Sequence, residues 1–348
     1  MRIAQEKDIG RLVAEGYKGL DTHLHSSASY DVLPVHATKP STLAERQFAR
    51  GAGYFTLTDH DSMRGIESLM QEKPTPDPRI VPGVEIKIKP ANIDGNPNTH
   101  TLHVNVYGLN RQQFIDLEHL ARREQDFYGF IDYLQKERLP HTLNHPTWSE
   151  FGEKPDWSLL PTIMRCFDVI EAYNHTRTPE QNGLTMRIAM EQGKGVVSSS
   201  DNHQGKPYIG NFAMGSDFME SWEYIKAGES IIIPKSADSS LFMHEIRTWI
   251  GQARELKLED ARRKEYRMNT GSEFWDNVMH FLANNPVAFR SIVRGPALVA
   301  LEAFTELFGE RLAEKKYVAS QRRAAAEIAM RIDKVPCTAP ETLASYAA

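Results

Sequence analysis

Residues 21–31 read D-T-H-L-H-S-S-A-S-Y-D, and this stretch places two histidines, His23 and His25, two positions apart. Strand side chains alternate between the two faces, so both imidazoles point the same way and can reach one metal ion. Asp31 follows after a serine-rich turn and adds a hard oxygen donor. Two histidines with purely structural roles would show the same spacing, so the rest of the chain must decide.

Short apolar segments alternate with helical stretches along the chain, which is typical of a parallel α/β fold. The helical stretches carry the expected start and stop residues, such as Pro40 and Ser41 before the first and Gly193 after the last. Seven β/α repeats predict a TIM-like barrel, in which chemistry occurs at the carboxyl ends of the strands. The predicted strands are Leu20–His25, Tyr54–Thr58, Ile80–Lys89, His100–Tyr107, His141–Leu143, Asp168–Tyr173 and Val196–Ser199.

Histidines and carboxylates recur on or just after these later strands. Each alone has an ordinary interpretation as a capping, loop or surface residue, but the series as a whole favours metal ligation. On the fourth strand His100 and His103 face opposite sides, and His103, which lies deeper in the strand, is the predicted ligand. The other candidates in this series are His60, Glu85, His145, Asp201 and His203.

Composition narrows the class of protein. The chain has 348 residues, 41% of them hydrophobic, and a formal net charge of −5, which argues against tight non-specific binding of nucleic acid. The charged N-terminus does not resemble a signal peptide and no segment has membrane-spanning length, so a cytoplasmic location is expected.

The two cysteines, Cys166 and Cys337, are far apart, so any metal must be held by histidines and carboxylates.

Six motifs occur in the order found in the polymerase and histidinol phosphatase (PHP) superfamily of metal-dependent phosphoesterases. The resemblance covers roughly Gly19 to Ser236, and V-I-E-A-Y-N and W-E-Y-I-K-A-G extend it. It implies a distorted seven-stranded β/α barrel with two or three divalent metal ions, either manganese, iron or zinc. The motifs are D-T-H-L-H-S-S-A-S-Y-D, L-T-D-H-D-S, G-V-E-I, L-H-V-N-V-Y-G, N-H-P and S-S-D-N-H.

The resemblance also implies how the ligands divide among the metals, with Glu85 bridging the first two. Many members have histidine where Asp31 stands, and this carboxylate favours a harder ion, or weaker occupancy, in the third site. The implied first site is His23, His25, Glu85 and Asp201, the second is Glu85, His103 and His145, and the third is Asp31, His60 and His203.

The implied reaction is hydrolysis of a small phosphorylated substrate, a phosphomonoester or small phosphodiester, by a metal-bound hydroxide. The catalytic residues would be Glu85, Asp201 and His203 together with Arg177. A cation must meet the remaining phosphate charge, and Arg177 is the preferred candidate because a planar guanidinium can engage two oxygens. The other candidate substrate contacts are Arg64, Lys206 and His175, the last as a proton donor.

Helical periodicity replaces the strand pattern after about Ala237, which predicts a barrel over residues 1–237 and a helical extension over residues 238–348. Sixteen Lys and Arg against fourteen Asp and Glu from Ser240 onward give this extension little support for nucleic-acid binding. An apolar face around Leu298–Phe308 is expected to pack on the protein itself, and a homo-oligomer contact is the alternative. The predicted helices are Leu241–Leu256, Glu273–Leu282, Pro296–Leu312 and Ser320–Ile332.

Two other function classes stay open at this point. A metal-dependent amidohydrolase or deaminase also uses an H-x-H motif on a β/α barrel, but it usually adds a bridging lysine, and here Glu85 takes that place. A non-catalytic barrel kept for binding is the third alternative, and the full set of nine ligand positions speaks against it.

Overall fold

A mixed sheet of five strands forms the centre of the fold. A computed structural model describes residues 1–255 and 309–333, apart from residues 73, 74, 76, 151 and 207. The strands are β1 (Arg2–Ile3), β2 (Lys18–Leu20), β3 (Phe55–Thr56), β4 (Ile80–Val81), β5 (Gly83–Ile88), β6 (Asn92–Ile93), β7 (Asn96–Pro97), β8 (Leu102–Tyr107), β9 (His141–Leu143), β10 (Val169–Asn174), β11 (Gly195–Ser199), β12 (Asn211–Ala213) and β13 (Ile231–Ile232).

Helices surround the strands and supply much of the buried apolar surface. The α-helices are α1 (Ile9–Ala14), α2 (Pro40–Ala49), α3 (Arg64–Gln71), α4 (Arg111–His119), α5 (Phe127–Lys136), α6 (Leu160–Arg165), α7 (Pro179–Glu191), α8 (Phe218–Lys226), α9 (Ser239–Glu255), α10 (Gly309–Ala313) and α11 (Ala319–Ile332). None of the helices in the described part of the chain is long and apolar enough to cross a membrane.

The five-stranded sheet has the order β11-β10-β9-β8-β5, and β8 runs antiparallel to both of its neighbours. The prediction of a parallel sheet is therefore wrong at β8. Between β5 and β8 the chain forms only the short β6–β7 hairpin, and a parallel pair would need a longer crossover, usually a helix. The described strands form a mixed α/β fold with several sheets, which do not close into a barrel by strand pairing.

The first predicted strand is also shorter than expected, since β2 ends at Leu20. The chain beyond it stays extended because its backbone pairs with two loops. Thr58 N donates to Leu24 O at 2.9 Å, and His25 N donates to Asn202 O at 3.2 Å. The alternation of side chains expected for His23 and His25 is thus kept outside a regular strand.

The sequence of Arg111–Arg138 alternates polar and apolar residues in a pattern that predicts one long helix, but the structure divides it into α4 and α5. Gln125 has a φ of +53°, a left-handed conformation that cannot continue a right-handed helix. Asp126 then caps α5, because its Oδ1 accepts a hydrogen bond from Gly129 N at 3.0 Å.

The strand β5 shows how the sheet separates core from site. Val84, Ile86 and Ile88 are fully buried in the main apolar cluster. Glu85 and Lys87 alternate with them and therefore face the other side of the sheet. One face of this strand stabilises the fold, and the other carries the polar residues.

The described C-terminal helices pack on the rest of the protein. Tyr317 Oη donates to Thr176 O at 2.8 Å, and Gln181 Nε2 on α7 donates to Gln321 Oε1 at 2.7 Å. The helices predicted at Leu241–Leu256 and Ser320–Ile332 correspond to α9 and α11. The predicted helix Glu273–Leu282, most of Pro296–Leu312 and the apolar face within it lie outside the described residues, and the division at residue 237 stays a prediction.

Candidate metal centre

Two chain segments bring the first ligands together. The extended chain after β2 carries His23 and His25, and the loop after β11 carries Asp201 and His203. Asp201 N donates to His23 O at 2.8 Å, so the two segments are held side by side by their backbones. Nε2 of His23 and Nε2 of His25 each lie 3.3 Å from Asp201 Oδ1.

His103 joins the cluster because β8 is reversed. It lies near the start of β8 and pairs in register with Lys87 near the end of β5. The amino end of β8 therefore lies at the same edge as the carboxyl end of β5. Nδ1 of His103 lies 3.0 Å from Glu85 Oε1 as a result.

All nine predicted ligands, and no other residues of the described chain, fall into four overlapping groups with donor atoms within 4.8 Å of one another. One group is the implied first site without Glu85, and another is the implied third site with His25 added, whereas the ligands of the second site are divided between the other two groups. The groups are His23, His25 and Asp201; His25, Asp31, His60 and His203; His23, Glu85 and His145; and His60, Glu85 and His103.

Glu85 lies at the centre of these groups and is fully buried. Its Oε1 lies 3.3 Å from His23 Nε2, and its Oε2 lies 2.7 Å from His60 Nδ1. His145 Nε2 is 3.6 Å from Oε1. Although His60 Nδ1 is close to it, Glu85 Oε2 accepts no well-aligned hydrogen bond from the described residues, which suits an oxygen that would bind a cation.

The donor atoms fit divalent metals. His23 Nδ1 pairs with Glu171 Oε1 at 2.8 Å, which leaves Nε2 to face His25 Nε2 at 3.1 Å. Two imidazole nitrogens this close need a shared proton or a cation between them. A mixed set of imidazoles and carboxylates suits manganese, iron or zinc.

Burial and neighbouring charges set the protonation of the cluster. Burial alone would raise the pKa of Glu85, but His23, His60 and His103 outweigh it and hold this pKa well below its usual range. Burial lowers the pKa of His25 to about 3 and that of His145 to about 4. Burial opposes the charged form of His23 and His60, but neighbouring anionic groups outweigh it and raise both pKa values well above the usual range. Metals bind neutral imidazoles, so an ion entering the cluster would displace protons from these two rings.

Two ligands have a strained backbone. His145 has a φ of +27° and Asp201 a φ of +47°, and such conformations cost on the order of 1–3 kcal/mol each for residues other than glycine. Buried hydrogen bonds hold both in place. Glu171 Oε2 accepts from His145 N at 2.8 Å, and Asn174 Nδ2 donates to Asp201 Oδ2 at 3.1 Å.

Of the four predicted substrate contacts, Arg177 is the one that lines the cavity beside the ligands. It is 5% exposed, its guanidinium lies 4.3 Å from the centre of the Trp148 ring, and its Nη2 is 3.6 Å from Asp201 Oδ2. The structure thus places a nearly buried cation next to the predicted metal ligands.

The other three contacts lie outside the residues described as lining this cavity. Arg64 is exposed at the start of α3. Lys206 is half-buried, and its Nζ donates to Thr248 Oγ1 at 3.0 Å. His175 is buried with its ring against Tyr208, and burial lowers its pKa to about 3.

The sequence analysis missed several residues that line or support the site. Lys87 lines the cavity, and its Nζ lies 2.6 Å from Glu150 Oε1. Glu150 Oε1 is also 3.3 Å from His103 Nε2. Strand parity with Glu85 could have identified Lys87, and the buried charge in V-I-E-A-Y-N could have identified Glu171. No local signal marks Glu150, which reaches the site from a loop.

Comparisons with known proteins give matches of low similarity. A candidate metal-dependent phosphoesterase from Bifidobacterium adolescentis is 17% identical, with a TM-score of 0.37, over 58% of this chain and 92% of that one. An amidohydrolase from Chromobacterium violaceum is 15% identical, with a TM-score of 0.37, over 60% and 96%. PsfC from Pseudomonas syringae is 14% identical, with a TM-score of 0.45, over 69% and 100%. Neither a family model nor a curated protein matches the chain.

Structural similarity at this low level assigns no activity to the chain. The order of the motifs and the geometry of the site are separate observations that do not depend on these comparisons. Asp201, His203 and the residues of the D-T-H-L-H motif are far apart in the sequence and lie together in the structure. In its motifs and in the nine predicted ligand side chains that its structure gathers, the chain is similar to the PHP superfamily.

Proposed function

We propose that this protein is an enzyme that hydrolyses a phosphate ester, a phosphomonoester or a small phosphodiester, with two or three divalent metal ions. One observation carries the proposal: six of the nine predicted ligands line a cavity together with the nearly buried Arg177. A metal cluster alone suits many hydrolyses. A fixed cation beside it suits a substrate that brings negative charge of its own.

The predicted ligands would hold the ions, and manganese, iron and zinc all suit them. Bound divalent ions would supply a water that loses its proton near neutral pH and would neutralise phosphate oxygens. The protein keeps the ligands oriented, since Asn144 Nδ2 donates to Glu85 Oε1 at 3.0 Å and Glu171 supports His23 and His145. Arg177 binds the phosphate.

The arrangement favours this activity over an amidohydrolase. Lys87 is the lysine that lines the cavity in the described part of the chain, and it is paired with Glu150. It therefore does not serve as a bridging ligand. A neutral amide also has no need of the Arg177 cation.

We also propose that the fold is a distorted seven-stranded barrel, as the motifs imply. Three isolated parallel bridges support it, because they connect the segments that regular strand pairing leaves apart. Gly19 pairs with Ala52, His60 with Glu85, and Leu24 with Asn202. In the proposed barrel they join the ends of the five-stranded sheet into a ring of seven segments, with the predicted ligands at its rim.

The test is hydrolysis of p-nitrophenyl phosphate and bis(p-nitrophenyl) phosphate by protein stripped of metal and then reloaded with manganese, iron or zinc. We expect activity to appear only on reloading. A p-nitroanilide amide serves as the comparison substrate. Hydrolysis of the amide with no release from either phosphate ester would contradict the proposal, and so would full activity in the stripped protein.

A further inference from the structure

The last described helices lie outside the motifs, yet they are hydrogen-bonded to two loops that carry site residues. The resemblance to the PHP superfamily ends near Ser236, whereas Tyr317 lies just before α11 and Gln321 lies within it. Both side chains are buried against the rest of the protein. Each makes a hydrogen bond that leads to a loop of the site, and the two loops are different.

Tyr317 holds the loop between β10 and α7. Its Oη donates to Thr176 O at 2.8 Å. The Oγ1 of the same threonine lies 3.2 Å from Oδ2 of Asp201, a predicted ligand, and the next residue in the chain is Arg177. The hydrogen bond from Tyr317 therefore fixes the backbone from which the proposed phosphate contact extends.

Gln321 reaches the loop after β9 through Gln181, near the start of α7. Gln181 Nε2 donates to Gln321 Oε1 at 2.7 Å and to Thr147 O at 3.2 Å, so one hydrogen of the amide serves α11 and the other serves the loop. Thr147 lies directly before Trp148 and two residues after His145, a predicted ligand. His145 has a φ of +27°, and such a strained backbone persists only where its surroundings fix it.

We propose that Tyr317 and Gln321 are positioning residues, through which the C-terminal helices fix the loop of Arg177 and the loop of His145. This inference rests on the proposed function, which gives Arg177 the phosphate and His145 a metal ion. Loss of either hydrogen bond leaves a buried carbonyl or amide without a partner, and the loop that carries it is then no longer fixed in one position. The C-terminal helices thus contribute to the site although none of the predicted ligands lies on them.

The first test concerns the phosphate contact, on the full-length protein loaded with manganese. Tyr317→Phe keeps the ring that stacks on Phe242 and removes only the hydroxyl. We expect the affinity for inorganic phosphate, measured by calorimetry, to fall roughly three- to tenfold, and kcat/KM for p-nitrophenyl phosphate to fall with it. The affinity for manganese should be unchanged, since Asn174 still donates to Asp201.

The second test concerns the metal ions. Gln321→Met keeps a side chain of similar size and removes the oxygen that accepts from Gln181. We expect the affinity for manganese, measured by competition with a chelator, to fall roughly three- to tenfold because the loop of His145 is less well fixed. Gln321→Glu keeps an acceptor oxygen at this position and should recover most of the affinity.

Arg322→Ala is the matched control on the same helix. Arg322 Nε lies 2.8 Å from Glu180 Oε1 on α7, and both side chains are exposed. This variant removes a contact between the same two helices without touching either loop, so both affinities should stay within about twofold of the wild type.

The pattern of losses decides the inference. Wild-type affinities in both Tyr317→Phe and Gln321→Met would overturn it. Equal losses of both affinities in all the variants, Arg322→Ala included, would also overturn it, because they would show a general loosening of the helices. If no ester is hydrolysed, the proposed function fails, whereas separate losses of phosphate and manganese affinity would still support the two positioning roles.

Discussion

Nε2 of His23 lies 3.1 Å from Nε2 of His25, and both rings are fully buried. Glu171 fixes the other nitrogen of His23, so this ring cannot turn away without losing a buried hydrogen bond. The side chains are thus held in a geometry that a cation between the nitrogens would stabilise. Without a metal ion, the two nitrogens stay close together with no cation between them, and this destabilises the folded protein.

Removal of metal should therefore destabilise the protein. An ion present at a hundred times its Kd adds about 2.7 kcal/mol to the free energy of unfolding, so a chelator should lower this value and the Tm with it. Denaturant unfolding with and without chelator measures the change, and chelator saturated with manganese is the control. Identical unfolding curves would show that the cluster binds no metal in the folded state.

Glu85 and Asp31 should differ in how much metal they hold. Glu85 lies near five of the histidine rings and belongs to two ligand groups, whereas Asp31 belongs to one. Glu85→Ala should accordingly lose more metal per chain than Asp31→Ala. Elemental analysis of the purified variants gives the comparison. An equal loss in both would show that the three-site arrangement does not apply.

Much of the ligand set could be predicted because short-range rules govern it. The two-residue spacing of His23 and His25 survives even where the regular strand does not. Strand parity allows only one of His100 and His103 to point inward, and the deeper position of His103 in the strand favours it. His100 lies apart from the ligand groups, with its Nε2 at Trp148 O. The predicted ligands at strand ends could be identified because the ends of neighbouring strands lie together at one edge of a sheet.

Long-range contacts determine the direction of β8 and the place of α9 beside the cavity. Local sequence patterns do not encode such contacts. His103 lies at the start of a reversed strand rather than at the end of a parallel one, and only the pairing with β5 reveals this. The sequence predicts Glu245 only as one residue of a separate helical extension. Glu245 lines the cavity because of the way α9 packs, and no residue near it in sequence indicates this packing.

Tyr317 should contribute to holding the C-terminal helices against the loop between β10 and α7. Its hydroxyl donates to Thr176 O, next to Arg177, at 2.8 Å. Tyr317→Phe removes this bond and leaves a buried carbonyl without that donor, so the free energy of unfolding should fall by about 1 kcal/mol. Denaturant unfolding at fixed metal concentration measures it. An unchanged midpoint would mean that water replaces the hydroxyl at no cost.

Arg177 should separate substrate binding from metal binding. Its guanidinium is held between Trp148 and Asp201 and its carbonyl accepts from Ala237 N at 2.7 Å, so its position is fixed before substrate arrives. A guanidinium does not ligate metals, and metal content should therefore be unchanged in Arg177→Ala. A hydrogen bond to a charged group contributes about 1.5–3 kcal/mol, which predicts a loss in kcat/KM of roughly ten- to a hundredfold.

The loss in Arg177→Ala should be larger for phosphomonoesters than for diesters, because a dianion needs more neutralising charge than a monoanion. Kinetics on both ester types, with metal content measured in parallel, test this. Arg331→Ala is the matched control, since Arg331 is exposed on α11 and pairs with Glu327. Full efficiency of Arg177→Ala at full metal content would remove Arg177 from the site, and Lys87, which also lines the cavity, would become the candidate for the phosphate.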